Sequence, residues 1–229
     1  MANIHNRAVL DDALAQLQRD LRTLASLVDL AIERSIGALT RLDRELAETV
    51  IAEDRAINDL RFAVEDRAIN LIATQQPIAG DLRQIIAVLH IVIELERMGD
   101  YGAGIAKIVL LHDDKPLLKP LIDVPRMALL VRELLAAAID AFVSRDAAAA
   151  EAVARRDDEV DALYDQVYRE LLAFMVNDPR TIDRATWLLW VAHNLERIGD
   201  RVQNICERTG YEVTGVMREF SSPPAPPTP

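Results

Sequence analysis

The sequence predicts an all-α protein, a tandem repeat of two three-helix bundles with six long helices. Ala, Leu, Ile, Arg, Glu and Asp dominate, while aromatics make up 4% and glycines number eight in 229 residues; this balance favours long helices over sheets. Apolar residues recur three and four apart along most of the chain. The two halves also match when the chain is aligned with itself.

Leu14, Leu17, Leu21, Leu24, Val28, Ile32, Ile36 and Leu39 place one amphipathic helix over about residues 9–41. A second runs from about Arg44 to Gln75 and stops before Pro77, because the residue ahead of a proline is pushed out of helical geometry. A third restarts near Asp81 and continues to about Leu111. There HDDKPLLKPLIDVP brings Pro116, Pro120 and Pro125 into one short stretch and interrupts helix. Helices then return over about 126–144, 146–176 and 181–208, the last fraying toward 218. The expected organisation is a first bundle at 1–111, a linker at 112–125, a second bundle at 126–218 and a disordered proline-rich tail at 219–229.

The repeat is visible residue by residue. IAVLHIVIELERMGD (86–100) over TWLLWVAHNLERIGD (186–200) matches Leu89, Leu95, Glu96, Arg97, Gly99 and Asp100 with Leu189, Leu195, Glu196, Arg197, Gly199 and Asp200. A shift of 103 similarly lays Asp43, Glu48, Val50, Asp54 and Leu60 on Asp146, Glu151, Val153, Asp157 and Leu163. A lone helix of this kind cannot bury its apolar face, so each half should pack up-down-up.

The hydrophobic fraction of 51% is enough to fill a core. A formal net charge of −11 opposes attraction to nucleic acid and to anionic lipid. The N-terminus has no export signal pattern, and the longest apolar run, IIAVLHIVI at 85–93, is about half of the roughly 20 residues a membrane span needs. The expected location is the cytoplasm, with any membrane association made only through partners. Cys206, the one cysteine, reads as a buried thiol.

The chemistry lies in acidic pairs. Residues i and i+4 share a helix face with Cβ atoms about 6 Å apart, so Glu96 projects with Asp100 and Glu196 with Asp200. Asp157 and Asp161 form a third pair; Asp54 and Asn58 form a weaker fourth at the matching positions. If the second and third helices of each bundle are antiparallel neighbours, each half brings two pairs together. Neither third-helix pair is followed four residues on by Lys or Arg. Like charges at this spacing cost a helix roughly 0.2 to 0.5 kcal/mol, and a carboxylate beside a core is unfavourable unless paired or coordinated. A hard cation accepts oxygen ligands from both helices at once. The opposing reading is a solvated face on which Arg97, Arg197 and Arg201 form ordinary ion pairs.

Other signals carry less. His193 has no counterpart in the first half, where Ile93 stands, and reads as a core or surface histidine. Asp165 can pair with Arg169. GDYGAGIAK lacks the ending of a phosphate loop, so Gly102 and Gly104 are assigned to close helix packing. Trp187 and Trp190 are assigned to the core.

At LERMGDYGAGIA and LERIGDRVQNIC, with QPIAGDLRQI at 76–85, the sequence resembles the PhoU family of phosphate-signalling regulators over about residues 10–210. The resemblance implies two packed three-helix bundles that bind metal clusters through E(D)xxxD motifs and form dimers or larger assemblies. It also implies restraint of phosphate uptake and of the phosphate-starvation response, through the phosphate-specific ABC transporter and its sensor histidine kinase. The family's ligands would fall on Asp54, Glu96 and Asp100, and on Asp157, Asp161, Glu196 and Asp200. Asn58 departs from the pattern, so the second half should bind metal more tightly; the family's frequent histidine is Tyr101 in one half and Arg201 in the other, and its asparagine is Gly104 in the first half but Asn204 in the second. Oxygen ligands alone do not choose the metal; the family points to iron or zinc.

No nucleophile with an adjacent base appears, so no catalytic residue, organic cofactor site or reaction is assigned. A di-iron oxidase would need Glu-x-x-His motifs, and His193 to Glu196 runs in the opposite order. The main rival is a metal-free helical scaffold whose acidic face docks a basic protein.

Overall fold

The computed structural model describes residues 2–112 and 115–220. It is built from α1 (Ala2–Arg41), α2 (Arg44–Gln75), α3 (Ala79–Leu111), α4 (Asp123–Ser144), α5 (Ala147–Ala154), α6 (Asp157–Asn177) and α7 (Ile182–Thr214), with a single 3₁₀ turn at Pro179–Thr181. Among the described residues there is no strand, and no helix is long and apolar enough to cross a membrane.

The repeat extends to backbone detail. The turns after α1 and α4 each end in a left-handed residue, Leu42 (φ 52°) and Arg145 (φ 57°). In each the next N–H reaches back to the helix, Asp43 to Ala38 and Asp146 to Ala141, both at 2.9 Å. Those aspartates then cap the following helix, accepting from the Leu46 and Ala149 amides. In the second half Arg145 also places its Nε 3.2 Å from Glu212, a fully buried carboxylate on α7.

α3 and α7 form the centre. Gly104 faces Asn194, Arg197 donates to the Tyr101 hydroxyl at 3.2 Å, and Asn204 and Arg201 donate to Glu94 at 3.2 and 3.3 Å. Rising numbers along α3 meet falling numbers along α7, so the two helices are antiparallel. α1 and α2 pack on α3, and α4, α5 and α6 pack on α7, around one continuous apolar core. The QP..DLR segment ties α3 at its start to two other helices: Asp81 accepts from Arg7 of α1 at 2.7 Å, and Arg83 donates to the Glu212 carbonyl near the end of α7.

Several expectations change. α4 begins at Asp123, ahead of the expected 126, with Pro125 inside its first turn, where a missing N–H leaves no helical bond unmade. The expected helix over 146–176 is interrupted at Arg155 and Arg156. No proline or glycine marks that break; it makes Asp157, Asp158 and Glu159 the first turn of α6, where the helix dipole favours negative charge. α7 runs past the expected 208 to Thr214, where Gly215 at φ 74° caps it. Within the expected tail Phe220 packs against the core; 221–229 lie outside the described residues. Trp187 is half-buried against His112, but Trp190 is 49% exposed. The buried stripe of α7 runs through Leu188, Val191, Leu195 and Ile198, and residue 190 falls off that face.

Candidate metal centre

In the first half, Asp54 and Asn58 come from α2 and meet Glu96 and Asp100 from α3. Asp54 Oδ1 is sealed from solvent without a hydrogen-bond partner, while Oδ2 accepts from Asn58 Nδ2 at 3.2 Å. Burial and then the Asp100 charge raise the Asp54 pKa, against a lowering influence from Lys107. Burial, Asp100 and Asp54 likewise raise Glu96, opposed by Arg61 and Arg97. The three carboxylates thus feel one another's charge across α2 and α3.

In the second half, α6 supplies Asp157 and Asp161 and α7 supplies Glu196 and Asp200. Asp157, Asp158, Asp161, Asp200, Gln203 and Phe220 line an open cleft of ≈ 200 Å³. Burial, reinforced by Asp161, Asp200, Glu196 and Asp158, pushes Asp157 up to about 7. Burial and Asp200 raise both Asp161 and Glu196. Glu196 Oε2 stands 3.3 Å from His193 Nδ1 yet makes no hydrogen bond. His193 is a surface residue, and Asp165 pairs with Arg169 at 3.2 Å.

The motif glycines have a steric reason. A β-carbon on Gly199 would stand 2.6 Å from Asp157 Oδ1, and one on Gly99 would stand 3.4 Å from Asp54 Oδ1 and 2.9 Å from Ile57. Each glycine lets the aspartate of the neighbouring helix reach the Glu and Asp that flank it in sequence. Periodicity did not reveal this, although a glycine at the same place between two acids in both halves was a signal. Asp158 and Phe220 were also missed. The run Asp157-Asp158-Glu159 marked the first; nothing local marked the second.

The nearby arginines turn elsewhere. Arg97 lies 3.9 Å from Glu94, Arg201 pairs with Glu94, and Arg197 binds Tyr101. Among the described residues no Lys or Arg forms an ion pair with Asp54, Glu96, Asp100, Asp157, Asp161, Glu196 or Asp200. In chemistry the donor set of each half suits a hard cation: oxygen atoms from two helices, one of them buried without a partner, Asp54 Oδ1 in the first half and Glu196 Oε2 in the second. Among the described residues, no group of three or more Asp, Glu, His and Cys side chains stands in a geometry that could hold a metal ion. Cys206 is fully buried on α7, and burial pushes its thiol up to about 12, which suits an inert core residue.

A family model described as the PhoU domain matches residues 21–109 and again 124–209. A phosphate-specific transport system accessory protein PhoU homolog of Caulobacter vibrioides is 39% identical over 205 residues, 89% of each chain. One of Aquifex aeolicus is 40% identical over 184 residues, 80% of this chain and 83% of the relative. Among solved structures, PhoU from Pseudomonas aeruginosa superposes with a TM-score of 0.85 at 32% identity, covering 90% of this chain and 99% of that one. The phosphate transport system regulatory protein PhoU from Streptococcus pneumoniae gives a TM-score of 0.85 at 33% identity, over 91% and 99%.

Proposed function

The chain belongs to the PhoU family, and from that premise we propose that it is a non-enzymatic, metal-binding regulator of phosphate uptake and phosphate-starvation signalling. The relatives it matches over most of its length carry the name of phosphate transport accessory proteins. On this reading the chain works in the cytoplasm, as a homodimer or larger assembly, on the phosphate-specific ABC transporter and its sensor histidine kinase.

One observation supports the metal reading: each half brings carboxylates without a Lys or Arg partner from two helices near one another, and in the second half burial, reinforced by the neighbouring carboxylates, raises Asp157 to about 7. A bound iron or zinc ion would supply the positive charge that relieves this crowding. Asp157, Asp161, Glu196 and Asp200 would hold it in the second half; Asp54, Glu96 and Asp100, with Asn58, would hold it in the first. Gly199 and Gly99 keep the two helices close enough to share it. Regulation then proceeds by binding, with no step of catalysis.

The rival is a metal-free acidic docking face, favoured by the lack of an already assembled ligand group. Elemental analysis of untagged protein beside a Glu196→Gln/Asp200→Asn variant separates the two. The metal reading expects iron or zinc in the wild type and depletion in the variant. Protein that stays metal-free after incubation with iron, zinc and manganese would leave the docking face as the answer.

A further inference from the structure

After α7 the described residues stay on the molecule. Gly215 turns the chain back, and residues 216–220 return along α7 until Phe220 packs against the core. Contacts to α7 mark this return. The Phe220 amide donates to Glu207 Oε1 at 3.0 Å, Arg208 Nη1 reaches the Met217 sulfur at 3.5 Å, and the Phe220 ring lies over Gly210, where an added β-carbon would meet the ring at 2.9 Å.

Glycine inside a helix is less favourable than alanine. Gly210 therefore sits at a position where helix stability alone would select another residue, and the close approach of the Phe220 ring accounts for it. The same ring lines the cleft formed by Asp157, Asp158, Asp161 and Asp200. The first half has neither part of the seat. Extending the alignment of the halves puts Leu110 in place of Gly210 and Lys107 in place of Glu207; a leucine fills the space and a lysine cannot accept from an amide.

We propose that residues 215–220 form a strap, anchored by Phe220 on Gly210, that closes one side of the acidic cleft of the second half and limits access of solvent and cations to Asp157, Asp161 and Asp200. The cation part rests on the metal reading given above; the closure itself does not. Residues 215–219 are exposed and only Phe220 is partly buried, and a segment with so little buried contact can open while the helices stay folded. The strap thus gives the second half a gate that the first half lacks.

The test uses the full chain with a reporter thiol in the cleft, Gln203→Cys; native Cys206 is fully buried and does not compete. Its alkylation by N-ethylmaleimide is compared with and without Phe220→Ser, and with and without Gly210→Ala, which keeps the aromatic ring and favours the helix. Uptake of Mn²⁺ alone is followed by stopped flow in the proteins without the reporter. Closure by the strap expects several-fold faster alkylation and faster Mn²⁺ uptake in both variants, with helicity unchanged. Equal alkylation rates in all folded proteins would overturn it, and Gly210→Ala decides should Phe220→Ser not fold. Faster alkylation with no Mn²⁺ bound by any of the proteins would support the strap and discard the metal reading.

Discussion

Asp157 Oδ1 occupies the space above Gly199 so closely that a β-carbon there would stand 2.6 Å from it. The glycine of the motif and the aspartate of the opposite helix are thus one steric unit, and Asp157 can stand this close to the helix that carries Glu196 and Asp200 because residue 199 has no side chain.

Gly199→Ala is expected to force Asp157 away or push α6 from α7. Overpacking of this kind costs about 1–3 kcal/mol, which outweighs a helix-propensity gain of about 1 kcal/mol. Urea unfolding should show a net loss, together with loss of metal from the second half. Gly99→Ala should be milder with respect to its aspartate, because Asp54 stands farther off at 3.4 Å. A Gly199→Ala protein that is more stable and fully metallated would contradict the steric account.

Metal-free protein should lose stability as pH rises from about 4 to about 7. Asp157 has a folded pKa of about 7 against an ordinary 3.8, so the folded state holds the proton more tightly. Its contribution is fully present below the unfolded value and is lost as pH rises through the folded one. Glu196, Asp161 and Glu96 are raised and act in the same direction. His90 and His112, lowered by burial, act oppositely below about 6.5. The informative quantity is therefore the difference in Tm between wild type and Asp157→Asn after chelation, measured at pH 5 and pH 8. Wild type should fall relative to the variant at pH 8; the reverse order would refute the assignment.

Metal should restore what pH removes. A ligand present at 100 times its Kd stabilises the folded state by about 2.7 kcal/mol, and in a protein of this size that corresponds to roughly 5–10 °C in Tm. Glu196→Gln/Asp200→Asn should abolish most of this gain, and Glu96→Gln/Asp100→Asn a smaller part, since Asn58 gives the first half less negative charge. Full occupancy of the first half beside an empty second half would count against that order.

The contact between the halves should be measurable by itself. Glu94, with its side chain 15% exposed, accepts from both Arg201 and Asn204. Hydrogen bonds to charged groups contribute about 1.5–3 kcal/mol, so Glu94→Ala should destabilise by about that amount. A double-mutant cycle with Arg201→Ala should give a coupling above about 0.5 kcal/mol. Additive effects would place Arg201 outside the interface.

Much of this architecture is legible because it is local. Period-3.6 patterning fixes α1, α2 and α3 to within a few residues at most boundaries, and the capping aspartates Asp43 and Asp146 stand at matched positions. The acidic pairs follow from helical spacing alone. Trp190 shows the limit: an aromatic residue in an apolar run reads as core, but one helix turn has more apolar residues here than the buried stripe accommodates, and residue 190 is left exposed.

By itself, then, the sequence determined most of the helices, the internal repeat, the acidic pairs as helical neighbours and the resemblance that the family comparison bears out. Tertiary structure decided what those residues meet. The register of α3 against α7, the break that starts α6 at Asp157, the glycine seats of Asp54 and Asp157, and the return of Phe220 onto Gly210 all join residues far apart in the chain. Helical periodicity reports which face of a segment is apolar and nothing about the segment packed on it, so these relationships arise only when the helices close on one another.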